Sequence, residues 1–311
     1  MNNTIEISVV VITYNQQDCI TKALDSLTCQ KEWIHEIVIS DDCSKDNTWQ
    51  VVCDYAERFP NLVKPYRNGT NLGIYGNMLA GYRRATGNVL ATLSGDDEFL
   101  PDCLEKAYNY IKDQDVLDKV FHLYMDRRRH FADNRPNYTF KNNLAISPRR
   151  LSYALRGYIS EPTFFSPKLL ERCIPSGEFG IGSDKYWSYQ RMYHSDIILY
   201  LNSTSIKYNA GVGVSVRESK KKFKDSELLV YNKILSENEM HFGTKDLYYI
   251  RYRRLLVQAY YNASWCYFFS ATKAWIKSID ISLGIKYVNG IEHMKNMFRY
   301  MIFMKNGGKL E

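Results

Sequence analysis

Two stretches decide the fold: Ile7 to Asn15 reads ISVVVITYN, and Glu36 to Thr48 reads EIVISDDCSKDNT. Each opens on an apolar run rich in β-branched residues, the pattern of a strand buried on both faces of a parallel sheet. Each then turns abruptly polar, where such a strand would leave the sheet. Outward from these two runs, helix and strand patterns alternate. Ile20, Ala23, Leu24 and Leu27 recur at helical spacing, Thr48 to Arg58 reads as a second helix, and Leu62 to Tyr66 as a third strand. Ile74 to Ala85 follows as a third helix, with Gly87 placed as its C-cap glycine. Asn88 to Leu93 (NVLATL) is a fourth strand, and Pro101 opens the next helix. This rhythm predicts a doubly wound, mostly parallel α/β sheet, whose ligands sit beyond the carboxyl ends of the strands.

The 311 residues are enough to bury a core without disulfides or a structural metal. With 45% apolar and 24% charged residues, disordered and fibrous classes are excluded. Seven cysteines without a CxxC pair argue against a disulfide framework or a zinc site, and for a reducing compartment. Cys19, Cys29 and Cys53 are expected to face the core. No basic-then-apolar stretch precedes the first strand, so no secretory leader and a cytoplasmic location are expected. Residues 1–240 hold equal numbers of basic and acidic side chains, 30 each, which removes the case for nucleic-acid binding there. Residues 241–311 hold 11 Lys and Arg against 4 Asp and Glu, so the whole excess of +7 lies in the tail.

Past residue 119 the alternation loosens. Val120 to Met125 is expected as a strand, followed by a polar, basic loop from Asp126 to Asn143. Ser166 and Ser183 are expected as N-caps of short helices, the second covering Asp184 to Tyr193. From Asp225 onward the chain reads as helical. Leu255 to Thr272 carries no charge but is interrupted by polar residues, which fits one buried or interfacial helix rather than a membrane span. The division expected is a domain of residues 1–224, with a nucleotide half of about 1–100 and an acceptor half of about 101–224, then a helical extension of 225–311.

The chemistry is expected at the strand ends. Strand one runs into Thr13-Tyr14-Asn15 rather than glycines, which disfavours both a dinucleotide fingerprint and a P-loop. Strand two ends in Asp41-Asp42, two carboxylates able to accept hydrogen bonds from a base and a ribose, or to cap the following helix. Strand four ends in Ser94-Gly95-Asp96-Asp97-Glu98, an acidic cluster at the same edge. Adjacent carboxylates repel unless a cation or helix N-terminus offsets them, and a hard divalent ion bridging to a diphosphate would do so.

With these residues in view, the sequence resembles glycosyltransferase family 2, inverting nucleotide-sugar transferases of GT-A fold. The resemblance rests on Ser8–Asn15, Glu36–Thr48, Asn71-Leu72-Gly73, Ala85–Asp97 (ATGNVLATLSGDD) and Gly182–Trp187 (GSDKYW), in order over roughly residues 7–215. It implies that Thr13, Tyr14, Asn15, Asp41, Asp42, Asn71, Gly73, Asn77, Ser94 and Asp97 bind the donor nucleotide sugar, a UDP-sugar favoured. It implies Asp96 as the ligand of Mn²⁺ or Mg²⁺ and Asp184 as the general base. Glu161, Trp187 and Arg217 are candidates toward a glycan or lipid-linked acceptor in surface polysaccharide synthesis; Trp187 also reads as core packing. The sequence departs from the family pattern at Ser94, where Asp-x-Asp usually starts, at Cys43 in place of a glycine, and at Ser183 in place of Glu. The Gln-x-x-Arg-Trp motif of processive members is missing, which implies a non-processive transferase. Two rivals stand beside this reading. A nucleotidyltransferase would need a glycine-rich loop after strand one, and a catalytically impaired nucleotide-sugar or glycan-binding module is conceivable because of Ser94.

In the tail, Ile291, Met294, Phe298 and Met301 form one helical stripe with Lys295 and Arg299 beside it. That pattern suits peripheral contact of 241–311 with the inner face of an anionic membrane, packing on the catalytic domain, or a homodimer interface.

Overall fold

The computed structural model describes residues 4–129, 144–146, 163–209, 219–238, 243–279 and 288–308. The chain divides into two compact units, one of Met1–Pro148, Gly157–Gly177 and Gln190–Val216, the other of Arg149–Arg156, Glu178–Tyr189 and Arg217–Glu311.

The first unit is built on a mixed sheet. Its strands are β1 (Ile7–Thr13), β2 (Glu36–Asp41), β3 (Val63–Arg67), β4 (Val89–Ser94), β5 (Glu98–Phe99), β6 (Phe121–Arg129), β7 (Leu144–Ile146), β8 (Thr163–Phe165) and β9 (Ile197–Tyr208). They lie in the order β3-β2-β1-β4-β8-β6-β9-β5, with β7 beside β9. The first four in that order are parallel, and β8 runs antiparallel between β4 and β6. Ile7, Val9, Val10 and Val11 of β1 are at most 1% exposed, which is why this strand is apolar on both faces. Helices α1 (Ile20–Thr28), α2 (Thr48–Arg58), α3 (Gly73–Tyr82) and α4 (Cys103–Gln114) cover the sheet. Ile20, Ala23, Leu24 and Leu27 of α1 are fully buried, the stripe their spacing anticipates.

Several local expectations are corrected. Helix α3 ends at Tyr82, and Gly87 is not its cap: a Cβ on Gly87 would stand 2.3 Å from the Glu6 carbonyl oxygen, so this glycine serves a close approach to the start of β1. Pro101 lies with Asp102 in a turn rather than opening α4, which starts at Cys103. Strand β6 runs on to Arg129 because it pairs with the long β9, so Asp126–Arg129 are strand rather than loop, and the rest of the expected basic loop, 130–143, lies outside the described residues. Ser166 makes no side-chain cap to the 3₁₀ turn Pro167–Glu171. Cys29 is exposed, and Cys19 and Cys53 are half-buried.

Helix α5 (Ser183–His194) is shared between the two units. Ser183 lies inside it, not before it; its hydroxyl oxygen accepts the Phe179 backbone N–H at 3.0 Å. The rest of the second unit is helical: α6 (Lys220–Asn238), α7 (Thr244–Asn262), α8 (Trp265–Ser278) and α9 (Val288–Lys305). The uncharged run 255–272 is therefore not one helix. It breaks at Ala263, which takes a left-handed φ of 42° and turns the chain from α7 into α8. No helix among the described residues is long and apolar enough to cross a membrane.

Candidate functional site

Strand β1 pairs with β2 on one side and with β4 on the other, so the sheet reverses its winding beside β1. Open α/β sheets bind ligands in the crevice outside the carboxyl ends at such a reversal. Register sets what lies there: Thr13 stands opposite Asp41, and Ile12 opposite Ser94. Thr13–Gln16, Asp41–Ser44 and Ser94–Asp97 thus converge at one edge of the first unit.

Each carboxylate there has a different employment. Asp41 is fully buried; its Oδ2 accepts the Ser44 backbone N–H at 3.0 Å, its Oδ1 accepts the Ser44 hydroxyl, and Arg67 Nε stands 3.4 Å away. Asp42 Oδ1 accepts from the Leu72 backbone N–H at 2.8 Å and from Asn68 Nδ2 at 3.1 Å, while its Oδ2 accepts the Gly73 N–H at 2.9 Å. Asp42 therefore caps α3, not the helix that follows it in sequence. That helix, α2, is capped by Asp46, whose Oδ1 accepts from the Thr48 N–H at 3.0 Å and the Thr48 hydroxyl at 2.6 Å. Burial alone would raise the Asp46 carboxyl, but the Thr48 bonds hold it below the usual range.

Asn15 also works on the loop. It takes a left-handed φ of 51°, donates its N–H to Ser44 Oγ at 3.0 Å, and accepts the Lys45 N–H on Oδ1 at 2.7 Å. Cys43, where the family pattern has glycine, takes φ 63°. Asn77 is 3% exposed and donates to the Ser40 carbonyl at 2.9 Å, tying α3 to the end of β2; Asn71 Oδ1 accepts the Gly73 N–H at 3.0 Å.

At the end of β4 the Ser94 hydroxyl donates to Asp96 Oδ1, and Asp96 is half-buried. Asp97 is 7% exposed and its Oδ1 accepts the Asn209 N–H at 2.9 Å, which anchors the turn to the end of β9. A Cβ on Gly95 would stand 2.5 Å from Gln16 Oε1 and 3.1 Å from Thr13 Oγ1, so only glycine lets β4 turn this close to β1. Those same two oxygens are buried without a hydrogen-bond partner among the described residues. Burial together with the Asp96 carboxylate pushes the nearby Cys19 thiol up to about 11, so it stays protonated and unreactive. The ring of Tyr14, 44% exposed, stands at the same strand end.

Two of the expected site residues lie in the second unit. Asp184 is exposed in the first turn of α5, its Oδ1 accepting the Lys185 N–H at 2.6 Å. Trp187 is 3% exposed and buried as a packing residue. Glu161 and Arg217 lie outside the described residues. Sequence reasoning missed Gln16, Ser44, Arg67 and Asn68; their roles come from pairing across strands and leave no local pattern.

No group of three His, Cys, Asp or Glu able to hold a metal occurs among the described residues. The oxygens present at the end of β4 are hard donors of the kind a divalent cation takes. Mg²⁺-type cations are commonly held by one or two carboxylates plus substrate phosphate oxygens and water, and Asp96 beside the Ser94 hydroxyl supplies hard oxygen of that kind.

Fold and strand-end register together define an α/β protein whose sheet reverses its winding beside β1. Residues 8–174, more than half of the chain, match the family model described as glycosyl transferase family 2, and the chain belongs to that family. An uncharacterized protein of Mycobacterium bovis is 36% identical over 117 residues, 37% of this chain and 34% of that one. A Nostoc sp. protein described as an uncharacterized glycosyltransferase is 35% identical over 118 residues, 38% of this chain and 36% of that one. The chain thus spans about a third of the length of the curated relatives it matches. Residues 1–349 of Staphylococcus aureus TarS, in complex with UDP-GlcNAc, superpose with a TM-score of 0.67 at 19% identity over 97% of this chain and 92% of that one. The Pyrobaculum calidifontis mannosyltransferase PcManGT, in complex with GDP-Man and Mn²⁺, gives 0.57 at 15% identity over 97% and 87%. The fold is of the GT-A type, with a helical C-terminal region.

Proposed function

We propose that this chain is a divalent-metal-dependent, inverting, non-processive hexosyltransferase. It moves a sugar from a nucleoside-diphosphate donor, a UDP-sugar favoured, to a glycan or lipid-linked acceptor of surface polysaccharide synthesis. The observation that carries the reading is the convergence of the β1, β2 and β4 ends, where the half-buried Asp96 carboxylate and the exposed Tyr14 ring stand. Residues 1–224 form its catalytic domain and 225–311 its helical extension.

In this mechanism the Asp41 and Asp42 loop, held by Ser44, Asn15 and the start of α3, presents the nucleoside with a preformed edge. Tyr14 offers a ring face to the base. Asp96, aligned by the Ser94 hydroxyl, would hold Mn²⁺ or Mg²⁺, which supplies positive charge to the departing diphosphate. Asp184 takes the proton of the acceptor hydroxyl as its oxygen bonds to the anomeric carbon from the face opposite the diphosphate. The bond to the diphosphate breaks with its electrons, and the nucleoside diphosphate leaves. Asp184 needs no raised resting pKa, because the hydroxyl turns acidic only as the new bond forms.

Thermal shift and UDP-release assays across nucleotide sugars with Mn²⁺ test this. Asp96→Ala should lose both the metal-dependent donor shift and turnover while melting normally without ligand. Asp184→Asn should keep the donor shift and lose turnover by about a hundredfold or more. Full metal-dependent turnover in Asp96→Ala would overturn the first role, and equal loss of donor shift in Asp184→Asn the second. Because Ser94 stands where a second acid is usual, the alternative is an impaired binding protein; a donor shift with no UDP release from any nucleotide sugar, with or without acceptor glycans, selects it.

A further inference from the structure

Fifteen large hydrophobic side chains are exposed among the described residues, and nine of them fall between Trp265 and Ile302. On α9 they keep one face: Met294 is 61% exposed, Phe298 67%, Met301 53% and Ile302 48%. Spacings of four, three and one put these four within about a third of the helix circumference. The opposite face is firmly seated. Tyr300 is fully buried, stacks on Phe268 of α8 at 4.5 Å and donates its hydroxyl to the Ala259 carbonyl of α7 at 3.3 Å. His293 lies parallel to Trp275 at 4.2 Å. The outward stripe is therefore set by packing from behind and is not a frayed end. A groove of about 570 Å³ runs beside it, lined by Trp265, Phe298, Met301, Ile302, Met304 and Lys305.

Charge selects the occupant. Helices α8 and α9 carry Lys273, Lys277, Lys295, Arg299 and Lys305, all exposed, against a single acid, Glu292 near the start of α9. A second copy docking through the same face would oppose these five cations with themselves and offer one carboxylate in return. An anionic bilayer offers phosphates to the cations and acyl chains to the stripe, and Trp and Lys side chains reach naturally to that boundary. From this coincidence of an apolar stripe and a basic border with a single acid, we infer that α9, with the start of α8, lies in the interface of an anionic membrane and holds the chain there without crossing it.

Co-sedimentation of the full chain with vesicles tests the inference, using phosphatidylcholine alone and phosphatidylcholine mixed with phosphatidylglycerol. Binding is expected to the anionic vesicles, at least about tenfold weaker to neutral ones, and falling steeply with added salt. Phe298→Asp with Met301→Asp, and separately Lys295→Glu with Arg299→Glu, should each weaken it by about tenfold or more. All four side chains are exposed, so circular dichroism and melting should stay unchanged. The salt series on the unmodified chain reads the same property without any mutant. No binding, equal and salt-insensitive binding to both vesicles, or full binding by both folded variants would overturn it. So would a concentration-dependent dimer that Phe298→Asp dissolves in a chain indifferent to vesicles.

Discussion

At the scale of single residues, the crevice shows acids of similar appearance doing different work. Asp42 is the clearest case. Its oxygens take two backbone N–H groups at the start of α3 and the amide of Asn68, which is itself only 6% exposed. Asp42→Ala removes a cap and leaves buried donors unpaired, a loss of about 3 kcal/mol. Denaturant unfolding should show that loss in the absence of any nucleotide. Stability unchanged in the mutant would mean that Asp42 serves the ligand rather than the loop. Cys43 keeps the same turn in a left-handed conformation that glycine would adopt at less cost, so the sequence retains the turn while giving up the residue that suits it.

At the scale of elements, α9 is held to its neighbours through a histidine. His293 is 1% exposed, its Nδ1 lies 3.3 Å from the Tyr252 hydroxyl, and its Nε2 has no partner among the described residues. Burial pushes its pKa down to about 4, against about 6.5 in an unfolded chain. Between those values the unfolded state binds the proton and the folded state does not. The contribution of His293 to stability is therefore fully present above about pH 6.5 and lost progressively as the pH falls toward 4. Melting temperature followed over that range should fall, and His293→Phe, which keeps the stacking on Trp275 without the titration, should fall less. An identical pH profile in the variant would assign the effect elsewhere.

At the scale of the whole molecule, the second unit is gathered around one carboxylate. Glu227 of α6 receives Lys185 of α5 at 2.7 Å, Lys224 at 3.1 Å and Arg253 of α7 at 3.0 Å. Burial alone would raise the Glu227 carboxyl, but Lys185, Arg253 and Lys224 hold it well below the usual carboxylate range. Its stabilising contribution is complete above the unfolded value near pH 4 and lost as the medium becomes more acidic. Glu227→Gln leaves three cations facing one another. The expected cost is about 2 kcal/mol, below that of a fully buried pair because the cations remain 24–32% exposed. Urea unfolding at neutral pH reads this directly, and an unchanged midpoint would show that solvent already screens the cluster.

Whatever rests on local periodicity can be read from consecutive residues. The apolar runs at Ile7 and Glu36 and the helical stripe of α1 are written in consecutive residues, so strand, helix and the polar ends between them were legible. So was the edge of the sheet where Thr13, Asp41 and Ser94 meet, because strand direction alone sends those ends to one side. The remainder depends on contacts between distant segments. That Asp42 caps α3 rather than α2, that Gly87 serves the approach to β1, and that Gly95 closes against Gln16 are facts about segments far apart in the chain. The same holds for the break at Ala263, where no charge, proline or glycine marks the end of α7. Sequence spacing proposes the α9 stripe of Ile291, Met294, Phe298 and Met301; the Ile291 side chain lies outside the described residues, and the exposure of the other three follows from which partners Tyr300 and His293 find behind them. Periodicity specifies a face; the choice of what covers that face is made by contacts between elements, which no single stretch of sequence contains.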